Sequence, residues 1–205
     1  MSAGDVGRRV VDVTAAVAGL VVVSPILLVA ASAVRWSMGP GVVFRQVRLG
    51  RAGRPFVLLK LRTMRHPVPG RDGPEHDAER ITRTGSFLRS SSIDELPSLW
   101  NLLRGDITLV GPRPLPAHYW DRYRGDEYRR FEVKPGITGL AQVSGRNQVD
   151  WPERRALDVA YVERRSLWGD LCILCRTVPA VLGAAGIAHG EAATMHALPP
   201  DRPLR

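Results

Sequence analysis

The chain of 205 residues is long enough for one domain with a hydrophobic core and too short for two comfortable ones. Its 29 lysines and arginines outweigh 20 aspartates and glutamates, a formal net charge of +9 that asks for an anionic partner: nucleic acid, a membrane surface or a phosphorylated substrate. Lys60 and Lys134 are the only lysines, so arginine, the residue suited to two-pronged contact with phosphate, carries the excess.

From Val10 to Val34 the chain is almost wholly apolar, interrupted only by Asp12, Thr14, Ser24 and Ser32. A bilayer core needs about 20 such residues. Three dispositions compete. A secretory signal would use Arg8-Arg9 as its charged start and Ala31-Ser32-Ala33 as a cleavage site. A second option is an ordinary single span. The third is a helix that enters the membrane, breaks at Ser24-Pro25 and returns to the same face, since proline removes a backbone donor and crowds the preceding turn. Arg8 and Arg9 precede the segment, and Arg35, Arg45, Arg48, Arg51 and Arg54 follow it. Basic residues gather on the cytoplasmic side of a membrane segment, so a chain basic on both flanks favours the re-entrant form.

Downstream, Val42-Val43-Phe44 and Phe56-Val57-Leu58-Leu59 read as strands around a basic turn at residues 50–55. Residues 66–80 lack apolar periodicity and read as a mobile surface loop, with His66 and His76 as solvated residues rather than metal ligands. Leu96 to Leu103 is a short helix, and Ile107 to Val110 an extended segment. A polar helix is expected over Leu115–Phe131, a turn over residues 134–139, and a helix with a charged face, including Asp158 and Tyr161, over Pro152–Arg165. Asp170–Leu182 reads as a helix with an apolar stripe at Leu171, Leu174, Cys175, Val178 and Leu182, suited to the core or to a membrane surface. Cys172 and Cys175 form a C-x-x-C without a second ligand pair nearby, so zinc is disfavoured and two small apolar residues on one helix face are expected. The tail after residue 186, rich in proline, is expected to be disordered.

One stretch stands against the basic background: Ser92-Ile93-Asp94-Glu95-Leu96-Pro97. Ser92-x-x-Glu95 fits a capping box, but Pro97 would then fall where the helix first needs a backbone donor. A helix starting at Asp94 or later suits Pro97 better and puts the acids at its positive mouth, where a carboxylate stays ionised. Adjacent helical side chains point about 100° apart, so the two acids suit separate tasks, one reaching a reacting atom and the other a cation. Carboxylates can attack phosphorus to give acyl phosphates when cations neutralise the charge. Lys60, Arg62, Arg89, Arg113 and Arg146 are available for that.

Seven blocks then carry a resemblance: Lys60-Leu61-Arg62-Thr63-Met64, Gly85-Ser86-Phe87-Leu88-Arg89, Ser92 to Pro97, Asn101-Leu102-Leu103-Arg104-Gly105-Asp106, Leu109 to Pro114, Lys134 to Leu140, and Gln142 to Asn147. In this order they resemble the bacterial sugar transferases, the monotopic phosphoglycosyl transferases acting on polyprenol phosphate, from Arg8-Arg9 to about Leu182. Leu61 stands where that family usually has an aromatic.

The resemblance implies an α+β, predominantly helical fold: a re-entrant membrane segment over 1–36, broken at Ser24-Pro25, a cytoplasmic catalytic domain over 37–186 with short strands and interfacial amphipathic helices, and a tail over 187–205. It implies that Asp94 attacks the β-phosphate of a UDP-sugar, releasing UMP, and that undecaprenyl phosphate then takes the phosphosugar as the first membrane step of bacterial glycan assembly. Glu95 is implied to hold Mg²⁺, and Lys60, Arg62, Arg89, Arg113 and Arg146 to line the phosphate and nucleotide site. The implied location is the cytoplasmic face of the inner membrane, with membrane lipids as partners, a homodimer left open and no nucleic acid. Two rivals remain. A nucleic-acid-binding protein leaves the apolar segment unexplained and has no continuous arginine stripe to offer. An exported basic protein would be cleaved after Ala33.

Overall fold

The computed structural model describes residues 3–70, 76–145 and 150–182. Its architecture is α+β and dominated by helix. Helix α1, Ala3–Met38, has 36 residues, roughly 54 Å at ~1.5 Å per residue, well beyond the ~30 Å apolar core of a bilayer. By length and composition it is able to cross a membrane, and most of its large apolar side chains are exposed.

The helical backbone continues across the expected break at Ser24-Pro25. Pro25 deprives the carbonyl of Val21 of its usual donor, and the Ser24 hydroxyl donates to that same carbonyl at 2.8 Å. The serine thus repairs the gap that the proline opens.

Both ends of α1 are fastened to the same domain. Near the start, Asp5 pairs with Arg165 at 3.0 Å and Arg8 with Asp170 at 2.6 Å. Arg9 donates to the carbonyls of Leu102 and Leu103 at 2.8 and 2.6 Å. Buried Asp12 accepts from the Thr108 hydroxyl and the Leu109 N–H. At the far end Ala30 and Val34 join Leu61 and Leu88 in a core cluster. Arg62 closes the helix by donating to the carbonyls of Met38 and Gly39. The stretch that also reads as a removable leader therefore supplies buried residues to the domain.

Strands β1 (Val43–Leu49) and β2 (Pro55–Leu61) form an antiparallel hairpin, as the two apolar runs predict. Phe44 pairs with Lys60, Gln46 with Leu58 and Arg48 with Phe56. Side chains alternate across a strand, so Gln46, Arg48, Leu58 and Lys60 share one face. Two short helices follow, α2 (Asp77–Arg80) and α3 (Arg83–Ser90), the second capped by Thr82, whose hydroxyl accepts from the Gly85 N–H at 3.0 Å. Part of the expected 66–80 loop is thus helical, and residues 71–75 lie outside the described residues. Helix α4 (Ser98–Arg104) ends on Gly105 in the left-handed conformation.

Strands β3 (Thr108–Val110) and β4 (Gly136–Thr138) pair in parallel. The expected turn at 134–139 is thus half strand, because its partner lies far away in sequence. Gly111 and Gly136 permit the close crossing: a Cβ on Gly136 would meet the Gly111 nitrogen at 2.1 Å. The expected polar helix over Leu115–Phe131 is instead two 3-10 stretches, Ala117–Arg122 and Gly125–Glu132. Gly125, at φ 46°, opens the second, and the aromatic cluster of Tyr119, Trp120, Tyr123, Tyr128 and Phe131 packs on Leu49 and Leu115.

Three helices complete the described residues: α5 (Leu140–Val143), α6 (Trp151–Glu163) and α7 (Leu167–Leu182). The charged face of α6 turns inward, since the neighbouring 3-10 stretch offers it partners. Asp158 pairs with Arg130 at 3.0 Å and Arg155 with Glu127 at 3.2 Å. On α7 the expected apolar stripe does not set the packing. Ile173 and Asp170 face the core, whereas Leu171, Val178 and both cysteines are exposed. Asp170 accounts for this rotation, because it bonds both Arg8 and the Tyr161 hydroxyl. The expected disordered tail lies outside the described residues.

Candidate active site

Asp94 and Glu95 sit in the turn between α3 and α4. After Ser91 ends α3, Ser92 adopts the left-handed conformation (φ 58°, ψ 15°), sparsely populated for a residue with a Cβ. Such a backbone costs of order 1–3 kcal/mol and persists only when its surroundings impose it. Here Ile93 imposes it by packing against the Ala30–Val34–Leu61–Leu88 cluster. Ile93 to Glu95 then form one 3-10 turn, and Pro97 caps α4. Ser92 makes no side-chain cap bond, so the capping box is absent. Neither acid stands at the mouth of α4, as the sequence had suggested.

Their environments differ sharply. Glu95 Oε1 accepts from Lys60 Nζ and Arg113 Nη2, each at 2.7 Å. The Arg113 charge, helped by Lys60, outweighs burial and holds the Glu95 carboxyl well below the usual range. Asp94 is 8% exposed, and its carboxylate takes no hydrogen bond or ion pair from any described residue. Burial pushes its pKa up; Lys60, Arg89 and Arg113 pull it back, and Glu95 adds to the rise. One carboxylate is therefore braced and firmly ionised, while its neighbour is unpaired among the described residues and more basic. Environments that separate two acids in this way assign them different chemical duties. The expectation of an ordinary, readily ionised Asp94 is thus replaced by a buried one.

Lys60, Arg113 and Glu95 line one cleft together with Arg48, Leu58 and Pro114. Arg89 lies close enough to act on Asp94, its Nε donating to the Thr63 hydroxyl at 2.9 Å. Arg62 is not brought into the cleft; its buried guanidinium caps α1 and contacts His66. Arg146 lies outside the described residues.

Several side chains that sequence reasoning passed over hold this arrangement. Asn101, 1% exposed, accepts from the Leu59 N–H at 3.0 Å and donates to the Val57 carbonyl at 2.7 Å. It thereby fastens β2 to α4 and sets Lys60 against Glu95. Arg130 Nη2 donates to the Arg113 carbonyl at 2.8 Å, and Arg48 Nη1 to the Pro114 carbonyl at 3.1 Å. The backbone at Arg113 and Pro114 is thus held at two successive carbonyls. For Arg48 a signal existed: it stands at an even spacing from Gln46 on the strand that faces Lys60, once the hairpin register is known.

Among the described residues no group of three or more His, Cys, Asp or Glu side chains is placed to hold a metal ion. Mg²⁺, however, usually keeps waters and binds through one or two carboxylates plus substrate phosphates. The second oxygen of Glu95 takes no hydrogen bond from a described residue, so the donor chemistry fits such an ion.

The family model of bacterial sugar transferases matches residues 3–184. The chain belongs to that family. The match spans α1 and the whole acid-bearing cleft. It is 47% identical over 180 residues to the uncharacterized sugar transferase EpsL of Bacillus subtilis, covering 88% of this chain and 89% of that one. It is 45% identical over 188 residues to the UDP-glucose:undecaprenyl-phosphate glucose-1-phosphate transferase of Caulobacter vibrioides, covering 87% of this chain and 70% of that one. A third sugar transferase relative, the undecaprenyl-phosphate galactose phosphotransferase of Salmonella typhimurium, is 36% identical over 196 residues. There the match covers 87% of this chain and 41% of the longer relative.

Proposed function

We propose that this sugar transferase moves a sugar-1-phosphate from a UDP-sugar to a polyprenol phosphate in two displacements on Asp94. The observation that carries the reading is the unequal pair: a buried Asp94, unpaired among the described residues, beside a Glu95 already committed to Lys60 and Arg113. Raised basicity and absence of a partner are what a nucleophilic carboxylate needs. The names of the Caulobacter and Salmonella relatives support the acceptor class.

In the first step an Asp94 oxygen bonds to the β-phosphorus, and the bond from that phosphorus to the bridging oxygen breaks. UMP leaves with that oxygen and both bonding electrons. In the second, a phosphate oxygen of the polyprenol attacks the same phosphorus and the Asp94 carboxylate is released unchanged, giving a polyprenol diphosphate sugar. Lys60, Arg89 and Arg113 face the reacting phosphate and offset its charge. Glu95 orients Lys60 and Arg113. Mg²⁺, when bound by the free oxygen of Glu95 and the donor phosphates, would neutralise further negative charge.

The reaction joins a soluble donor to a lipid acceptor, so the cleft belongs at a membrane surface. A simple span would carry one end of α1 across the bilayer from the domain. Attachment of Arg9 to Leu102 and Leu103, and of Met38 to Arg62, ties both ends to one body and supports a shallow, monotopic α1 with the domain on the cytoplasmic side. Exposed Trp168, Leu167 and Leu171 on α7 suit the same surface.

The test is to mix enzyme, UDP-sugar and Mg²⁺ without acceptor. A stoichiometric burst of UMP and a phosphosugar adduct on Asp94 are expected, both lost in Asp94→Asn. Turnover that requires both substrates together and leaves no adduct would overturn the two-step reading.

A further inference from the structure

The cleft holds a basic side chain that the two-step reading does not use. Arg48 is partly buried and lines the same walls as Lys60, Glu95 and Arg113. Its Nη1 donates to the Pro114 carbonyl at 3.1 Å and its Nη2 to the Gln46 side-chain oxygen. It forms no ion pair with a described residue, and its buried Nε has no acceptor. Lys60 and Arg113 already share the carboxylate of Glu95, the one that lines the cleft among the described residues. Adding Arg48 leaves positive charge in excess, and an excess of fixed cations in a cleft is a seat for an anion. Burial and the adjacent Arg113 push the Arg48 pKa down to about 10, which leaves it a cation at neutral pH but one under repulsion.

The direction of the site follows from which side chains line the cleft. Arg48 lines the cleft together with Lys60, Glu95 and Arg113, whereas Asp94 and Arg89 do not line it. Asp94 and Arg89 belong instead to the Ile93–Glu95 turn and to α3. Arg113 is the link between the two sets. A phosphate attacked by Asp94 therefore sits among Lys60, Arg89 and Arg113, and the next phosphate along a diphosphate falls on the Arg48 side of Arg113.

We propose that Arg48 binds the departing phosphate of the nucleotide donor, taking up charge as the bridging oxygen leaves with UMP. The assignment rests on the UDP-sugar reading above. A guanidinium suits it, since its fork presents several donors to phosphate oxygens while two remain committed to Pro114 and Gln46.

The experiment uses the full chain, with UMP as the probe, in parent, Arg48→Gln and Arg48→Lys forms. Glutamine is chosen because it removes the charge while keeping a polar, hydrogen-bonding side chain. UMP affinity should fall roughly ten- to hundredfold in Arg48→Gln, the size of one charge-assisted hydrogen bond. Arg48→Lys should recover part of it, with the acceptor KM and melting temperature of both variants close to the parent. Unchanged UMP affinity in Arg48→Gln, or a loss accompanied by a fallen melting temperature and no gain from lysine, reduces Arg48 to a fastener of Pro114 and overturns the inference. A parent protein that binds no UMP and releases none from UDP-sugars overturns the donor reading itself and Arg48's role with it, an outcome separate from a failure of Arg48 alone.

Discussion

Removing the carboxylate of Asp158 tests the frame that grips Arg113. Asp158 and Arg130 pair at 3.0 Å with side chains 5% and 3% exposed. The same guanidinium donates to the Tyr123 hydroxyl at 2.6 Å and to the Arg113 carbonyl at 2.8 Å. In Asp158→Ala a buried cation keeps two neutral acceptors and loses its counter-charge, with Arg154 left nearby to repel it. Breaking a buried pair from one side costs about 3–5 kcal/mol. In a chain of this size each kcal/mol moves Tm by about 2–4 °C, so the midpoint should fall by roughly 6–20 °C.

Burial pushes the Asp158 pKa up despite Arg130 and Arg154, so its ionised form is less favoured in the fold than in the unfolded chain. Its contribution is then most favourable below the unfolded pKa and declines as pH rises through the folded one. Hence Arg130→Met with Asp158→Leu, which removes both charges, should recover most of the lost midpoint. Turnover should nevertheless stay low, because the Arg113 carbonyl has lost its donor. Tryptophan fluorescence of detergent-solubilised protein, which has five tryptophans, reads the midpoint, and UMP release reads turnover on the same samples. An Asp158→Ala midpoint within about 2 °C of the parent, below the shift expected for even one kcal/mol, would refute the reasoning.

The raised pKa of Asp94 places the acid limb of adduct formation above the ordinary aspartate value of about 3.9. Single-turnover UMP release measured across pH would show it, and a limb at or below that value counts against a buried nucleophile. Glu95→Gln removes a like charge beside Asp94 and frees Lys60 and Arg113 to approach it, so the same limb should move to lower pH while the rate drops about a hundredfold or more. A limb left in place would mean that Glu95 does not act on Asp94. Gly85→Ala puts a Cβ 1.8 Å from the Thr63 carbonyl oxygen, forcing α3 away from the residue that Arg89 contacts. A loss of about 1–3 kcal/mol is expected, and a parent-like melting curve would show that α3 and Thr63 are less tightly packed than the crossing implies.

Much of the site was legible in the sequence because it rests on local chemistry. The acid pair, the basic blocks at Lys60, Arg89 and Arg113, the hairpin around residues 50–55 and the long apolar segment all announce themselves within a few residues. Asn101 and Arg48 did not, since an asparagine's value here lies in two strand backbone groups more than 40 residues away, and Arg48 needs the hairpin register to face Lys60. The inward charges of α6 were hidden for the same reason: a charged face reads as solvent-exposed until Arg130 and Glu127 arrive to pair with it.

Residue type and spacing by themselves determined the family, the apolar helix and which acids stand together. Tertiary structure alone decided that the helix runs on through Pro25, that both its ends join one domain, and that Arg62 caps it instead of entering the cleft. It also decided which of the two acids is braced. Neighbouring carboxylates are chemically alike along the chain, and only the distant Lys60 and Arg113, folded onto Glu95, make one a brace and leave the other without a hydrogen bond or ion pair from any described residue.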